Sequence, residues 1–158
     1  MDAAGLATAQ VDLEATTSFA DVEEMLERAK LDAVIVGTPM PFHVAHAIAA
    51  LERGLHVLSE VPAAVSVAEC RALVSACRRS TATYMMAENY IYTRPNQIIT
   101  QMAQAGLFGT PYYGEGEYLH ELRAAPQENP TPWRRKWQQG INGITYGTHS
   151  LGPLLNWF

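Results

Sequence analysis

The sequence predicts an α/β protein built on a parallel sheet. Residues 31–62 read strand, helix, strand with short connections, which is a βαβ unit. A further helix and strand follow, to Ala87. Each strand also ends in polar residues, so three strand ends deliver polar groups towards one sheet edge.

Residues 1–17 are small and polar, with Val11 and Leu13 alternating weakly, and predict one poor strand or a ragged start. Ser18-Phe19-Ala20-Asp21 opens a helix, with Ser18 as N-cap and Asp21 near its positive end. Val22, Met25 and Leu26 form its apolar face, and Lys30 suits its C-terminal end. The run Ala33-Val34-Ile35-Val36 is too short for a stable helix and rich in β-branched residues. Such a run suits a strand buried on both faces of a parallel sheet. Gly37-Thr38-Pro39 breaks it. Pro41 then fits the first turn of a helix, where its missing N–H costs nothing. Val44, Ala47, Ile48 and Leu51 recur at helical spacing, and Gly54 is expected just beyond the helix end. Leu55-His56-Val57-Leu58 reads as the second strand, stopped by Glu60-Val61-Pro62.

Ser66-Val67-Ala68-Glu69 is a capping box. Its helix is expected to turn Val67, Leu73, Val74 and Cys77 inward and Arg71, Arg78 and Arg79 outward. Residues 83–87 give the third strand, ending at Glu88-Asn89-Tyr90. Pro95 starts another helix, with Ile98, Ile99 and Met102 inward and Gly106 beyond its end. Residues 110–120 predict a strand with Tyr112, Gly114, Gly116 and Tyr118 on one face and Glu115 and Glu117 on the other. A loop over 124–143 follows, and a last helix runs from near Thr148 into Leu151, Leu154, Leu155 and Phe158.

A net charge of -5 argues against a nucleic-acid surface, where a basic patch is expected. It leaves anionic small ligands open, because backbone donors bind them locally. No apolar run approaches the length of a membrane span, and the N-terminus lacks a signal peptide's apolar core. Cys70 and Cys77 lie about two helical turns, ~10 Å, apart, too far to bridge. They predict buried thiols in a reducing, cytoplasmic compartment.

In open α/β sheets ligands sit beyond the carboxyl ends of the strands, which directs attention to Thr38, Pro39, Phe42 and His43, and to Glu60, Val61 and Pro62. His43 and His46, three apart on a helix, suggest a metal pair, but no third ligand has a matching spacing, so no metal is expected. Glu60 and Glu88 end two strands and offer a carboxyl pair for ordinary glycoside hydrolysis. Tyr146 and His149 share a face if they stand at a helix start. Each candidate has a plainer reading too. His149 could cap or pack at that helix start, Tyr118 could be an aromatic on a sheet face, and Arg134 could be one solvated charge in Arg134-Arg135-Lys136.

The start and the end are unusual. No G-x-G-x-x-G occurs, although a dinucleotide fold normally opens with a strand and a Gly-rich turn, and the chain stops at Asn156-Trp157-Phe158 without a polar tail. The expectation is an interior piece of a longer protein, or a truncated gene product.

Thr38-Pro39, His43 and Gly54-Leu55-His56-Val57-Leu58-Ser59-Glu60 resemble the Gfo/Idh/MocA superfamily of NAD(P)-dependent sugar oxidoreductases. That superfamily usually continues Glu-Lys-Pro, with the lysine assisting hydride transfer; here Glu60-Val61-Pro62 lacks it. Its C-terminal motif places an Asp four residues before a His; here Thr145 precedes His149. With Met85-Met86-Ala87-Glu88-Asn89, Glu115-Gly116-Glu117-Tyr118-Leu119-His120, Trp133-Arg134 and Tyr146-Gly147-Thr148-His149, the chain is similar to the NAD-dependent glycosidases typified by α-N-acetylgalactosaminidase. Gly147 stands where that branch usually has Pro. The resemblance covers nearly everything after Phe19.

The resemblance implies an incomplete Rossmann-type domain over residues 1–92, then the beginning of an α+β substrate and oligomerisation domain over 93–158. It implies NAD or NADP as cofactor, lined by Thr38, Pro39, Phe42, His43, Glu60, Val61, Asn89 and Tyr146. It implies a sugar held by Tyr118, Arg134, Tyr146 and His149, with Tyr118, Tyr146, His149 and Glu88 as the catalytic set. A homo-oligomer through the second domain is implied as well. Three functions stand open at this point: sugar oxidation by NAD(P), glycoside hydrolysis through transient oxidation at C3, and a non-catalytic fragment that binds a partner.

Overall fold

The structure is a computed structural model, and it describes residues 3–119, 140 and 146–158. Three parallel strands, β1 (Ala33–Val36), β2 (His56–Ser59) and β3 (Tyr84–Met86), pair in the order β1-β2-β3. Val36, Ser59 and Met86 are aligned across them, so the three strand ends reach one edge together. Helix α3 (His43–Glu52) links β1 to β2, and α4 (Val67–Arg79) links β2 to β3. Around this unit stand α1 (Ala3–Asp12), α2 (Val22–Arg28), α5 (Arg94–Gln104) and α6 (Gly147–Trp157).

The core lies between the sheet and α3 with α4. Val36 and Val57 from the strands meet Val44, Ala47, Ala50 and Leu51 of α3 and Leu73 and Ala76 of α4, with Leu26 of α2 closing one side. Ile48 is half-buried rather than fully inside. Gly54 ends α3 at φ +75°, a conformation that only glycine adopts cheaply. The capping box holds in modified form. Ser66 accepts from Glu69 N–H at 3.2 Å, while the Glu69 carboxyl reaches back one residue further, to Val65 N–H at 2.8 Å.

The strands are not buried on both faces. Ile35 is 76% exposed, and Leu58 and Met85 are exposed beside it, while their neighbours Val36 and Val57 are buried. The reason is topological. Crossovers of one hand that step the same way along a sheet lay their helices on the same face. Both α3 and α4 therefore cover one side, and no described element covers the other.

Residues 3–12 form helix α1, not a strand, and none of its residues is buried. The cap of α2 is Asp21, whose side chain accepts from Glu23 N–H at 2.9 Å and Glu24 N–H at 3.1 Å. Ser18 is engaged elsewhere, donating to Gln10 Oε1 at 2.7 Å. Val67 and Val74 face solvent, since α4 packs through Leu73 and Ala76. Ile98 of α5 is also exposed. Cys70 and Cys77 are free thiols, but Cys70 is exposed rather than buried.

Residues 110–119 form no strand. They nevertheless keep the predicted facing, because Gly114 and Gly116 lie against α6, close to Leu154, Phe158 and Ser150. Tyr112 departs from it and is 96% exposed. The loop expected over 124–143 falls outside the described residues except at Gly140, which is helical. The last helix begins one residue before its expected start and tolerates Pro153 inside.

Candidate active site

The polar groups after β1 and β2 are tied together by one side chain. His43, at the start of α3 and 2% exposed, places Nε2 2.7 Å from the Thr38 carbonyl oxygen and Nδ1 2.9 Å from the Pro62 carbonyl oxygen. It thus fastens the segment leaving β1 to the segment leaving β2. His46 sits 3.1 Å from the Thr38 hydroxyl through Nδ1 and stacks on Phe42. Burial, with the neighbouring His43, lowers the His46 pKa. Val61 is buried, while Phe42, Glu60 and Asn89 are exposed.

The segment after β3 carries the second group. Glu88 lies two residues past β3 and is 6% exposed, and His149 on the first turn of α6 is 9% exposed. His149 Nδ1 is 2.8 Å from Oε1 and 2.9 Å from Oε2 of Glu88. Tyr90 N–H donates to Oε1 at 2.8 Å. Burial by itself would raise the Glu88 pKa. Interactions with the Thr148 hydroxyl, the Tyr90 N–H and His149 outweigh it and hold the carboxyl below its ordinary value.

Three tyrosines surround this pair. The His149 ring stacks on Tyr90 at 4.3 Å and on Tyr146 at 5.3 Å between centroids, and Tyr118 meets it edge-on at 4.8 Å. Tyr118 also touches Tyr90 and Tyr146 edge-on. Burial, followed by hydrogen bonding with Tyr90 and nearby negative charge, raises the Tyr118 pKa. These influences favour the protonated hydroxyl.

The packing that permits this is tight. A Cβ at Gly152 would lie 3.1 Å from Ile91 and 3.3 Å from Glu88 Cγ, so a small residue there lets α6 close onto the segment carrying Glu88.

The structure thus brings Glu88, Tyr118, Tyr146 and His149 together, and it gathers Thr38, His43 and Pro62 at the neighbouring strand ends. Arg134 lies outside the described residues. Tyr90 is a site residue that the sequence pattern leaves unassigned. Its one signal is its place directly after Glu88-Asn89 at the third strand end.

The profile of the oxidoreductase family with an NAD-binding Rossmann fold, Gfo/Idh/MocA, matches residues 3–88. The chain belongs to that family. Among curated proteins, a glycosyl hydrolase family 109 protein of a Shewanella species is 40% identical over 134 residues. An alpha-N-acetylgalactosaminidase of Shewanella oneidensis is 39% identical over the same length. In each case the match covers 83% of this chain and 29% of the relative, so the chain spans less than a third of their length. Among solved structures, the WlbA dehydrogenase of Bordetella pertussis, in complex with NADH and UDP-GlcNAcA, aligns with a TM-score of 0.67 and 25% identity over 70% of this chain and 32% of that one. Scyllo-inositol dehydrogenase from Lactobacillus casei shares the fold, with a TM-score of 0.65 and 23% identity over 68% of this chain and 32% of its own.

Among the described residues no helix is long and apolar enough to cross a membrane, and no three His, Cys, Asp or Glu side chains converge as a metal site.

Proposed function

We propose that the complete protein performs NAD-dependent oxidoreductase chemistry on a sugar. The observation that carries this reading is the buried Glu88–His149 pair set among Tyr90, Tyr118 and Tyr146, at the sheet edge where α/β folds bind ligands. The exposed groups at that edge suit the nicotinamide-ribose half of the cofactor. Glu60 can accept from ribose hydroxyls, Asn89 can pair with a carboxamide, and Phe42 offers an apolar ring. NAD would supply the two-electron step, accepting hydride from a sugar carbon that becomes a ketone.

The chain's own residues handle the proton and the geometry. His149 takes the hydroxyl proton through Nε2, since Nδ1 is committed to Glu88. The Tyr118 hydroxyl, kept protonated, donates to the sugar oxygen as charge develops on it. Tyr146 and Arg134 complete the sugar contacts. The substrate is a small-molecule sugar, and the same reading has the complete protein cytoplasmic and assembled as a homo-oligomer through the domain that begins at residue 93.

A second reading is glycoside hydrolysis through transient oxidation at the sugar C3. It is favoured by the relatives above and by Val61, which stands where a plain dehydrogenase of this superfamily has lysine. A C3 ketone acidifies the C2 proton, which a base removes, and the anomeric group is then expelled. Water adds, and reduction of the ketone restores the sugar with no net change in cofactor.

One experiment separates the two. The reading frame extended in both directions is expressed and mixed with NAD, free sugars and chromogenic glycosides. NADH accumulating on a free sugar supports the dehydrogenase. Aglycone released without net NADH supports the redox glycosidase. Neither signal, with no binding of NAD, removes both.

A further inference from the structure

The redox chemistry needs His149 to present one defined nitrogen. A neutral imidazole has two tautomers, and free histidine favours the proton on Nε2, which would leave the wrong nitrogen as base. We propose that Glu88 is a positioning residue that locks His149 in the Nδ1–H tautomer and so commits Nε2 to proton exchange with the substrate. The part that concerns the substrate rests on the redox reading; the tautomer lock does not.

The geometry supports this in four ways. Both carboxyl oxygens lie within hydrogen-bond distance of Nδ1, at 2.8 and 2.9 Å. Tyr90 N–H already donates to Oε1, which fixes the carboxyl's rotation. An ionised carboxylate can only accept, so Nδ1 must donate to it; the depressed Glu88 pKa keeps it ionised at neutral pH. Finally, stacking on Tyr90 and Tyr146 stops the ring from turning over to exchange its nitrogens. Glu88 is itself too buried and too fully engaged to reach a sugar. Its role differs on these grounds from that of the tyrosines, whose rings pack against the His149 ring.

The test reads the ring directly. The 158-residue chain is labelled with 15N-histidine, and two-bond nitrogen–proton correlations are recorded well above the ordinary histidine range, where the ring is neutral. A His149→Gln variant assigns the signal among the five histidines. The expected wild-type pattern is Nδ1–H in excess by about tenfold, as a charge-assisted hydrogen bond dictates. In Glu88→Gln the Tyr90 N–H holds the amide oxygen, the NH2 group faces Nδ1, and the ratio shifts about tenfold towards Nε2–H. Glu88→Ala shows the preference of free histidine.

A wild-type majority of Nε2–H overturns the proposal. So does an unchanged ratio in variants whose circular dichroism matches wild type. If the variants unfold, the wild-type ratio decides alone. The measurement uses neither cofactor nor sugar. A locked tautomer in a protein that turns over no sugar would sink the redox reading and leave the lock standing.

Discussion

Gly114 and Gly116 form a matched pair that tests how Tyr118 is delivered to His149. A Cβ at Gly116 would lie 2.8 Å from the backbone oxygen of Ser150, about 0.6 Å short of ordinary contact, and a helix carbonyl cannot step aside. A Cβ at Gly114 would come equally close, but to the ring edge of Phe158 and the tip of Leu154, side-chain ends that can rotate. Both changes from glycine to alanine gain about 0.4–1 kcal/mol by restricting the unfolded chain. Overpacking against rigid backbone costs about 1–3 kcal/mol. Gly116→Ala should therefore lift the 110–119 segment off α6 at a net cost of about 1–2 kcal/mol, whereas Gly114→Ala should be near neutral. The assay is the ring-current shift of the His149 protons, which depends on Tyr118 at 4.8 Å, together with amide exchange along 114–119. A His149 signal in Gly116→Ala identical to wild type would refute the idea that this backbone approach seats Tyr118.

Other outcomes are expected from the same structure. Leu51 is 2% exposed between sheet and α4, so Leu51→Ala should cost about 2.7–5 kcal/mol in urea unfolding; a cost below about 1 kcal/mol would mean the site collapses freely. Because the folded Glu88 pKa lies below its unfolded value, its contribution is present above the ordinary carboxylate range and is lost as pH falls through the folded value. Glu88→Gln should thus be about 1–3 kcal/mol less stable near neutrality, with the gap from wild type closing in acid; a gap independent of pH contradicts the charged pair. The chain has no G-x-G-x-x-G turn to cradle a pyrophosphate, so calorimetry should find NAD binding weak or absent, and micromolar affinity would show that the strand-end groups suffice.

The central unit was legible because each signal was local. An apolar β-branched run, Pro41 in the 3-10 turn (Met40–Phe42) that leads into α3, Gly54 at the end of α3 and the Ser66–Glu69 box all act within a few residues. What failed was tertiary. Burial of Ile35 on both sides could not be judged from its neighbours, because the side on which α3 and α4 lie depends on crossover direction. Ser18 and Asp21 are both good caps three residues apart, and the choice fell to Asp21 once Ser18 met Gln10. Alternation over 110–119 was real, but it records which way side chains point, not whether a ladder partner exists. The site was half legible. Tyr146 and His149 lie three apart and could be paired from spacing, whereas Glu88 reaches His149 across 61 residues of chain. Tyr90 meets His149 by the same long-range closure, and its one local mark is its place directly after Glu88-Asn89.

The row of Ile35, Leu58 and Met85, which no described element covers, should make the 158-residue chain surface-active. The three side chains align across neighbouring strands as one oily strip, in a molecule whose net charge of -5 supplies the long-range repulsion between copies. Salt shortens the reach of that repulsion from about 10 Å at 0.1 M to about 3 Å at 1 M while leaving the strip as adhesive as before. Colloidal behaviour should therefore depend on salt more steeply than folding does: the chain stays dispersed in dilute buffer, takes up apolar dyes while still native, and self-associates as ionic strength rises.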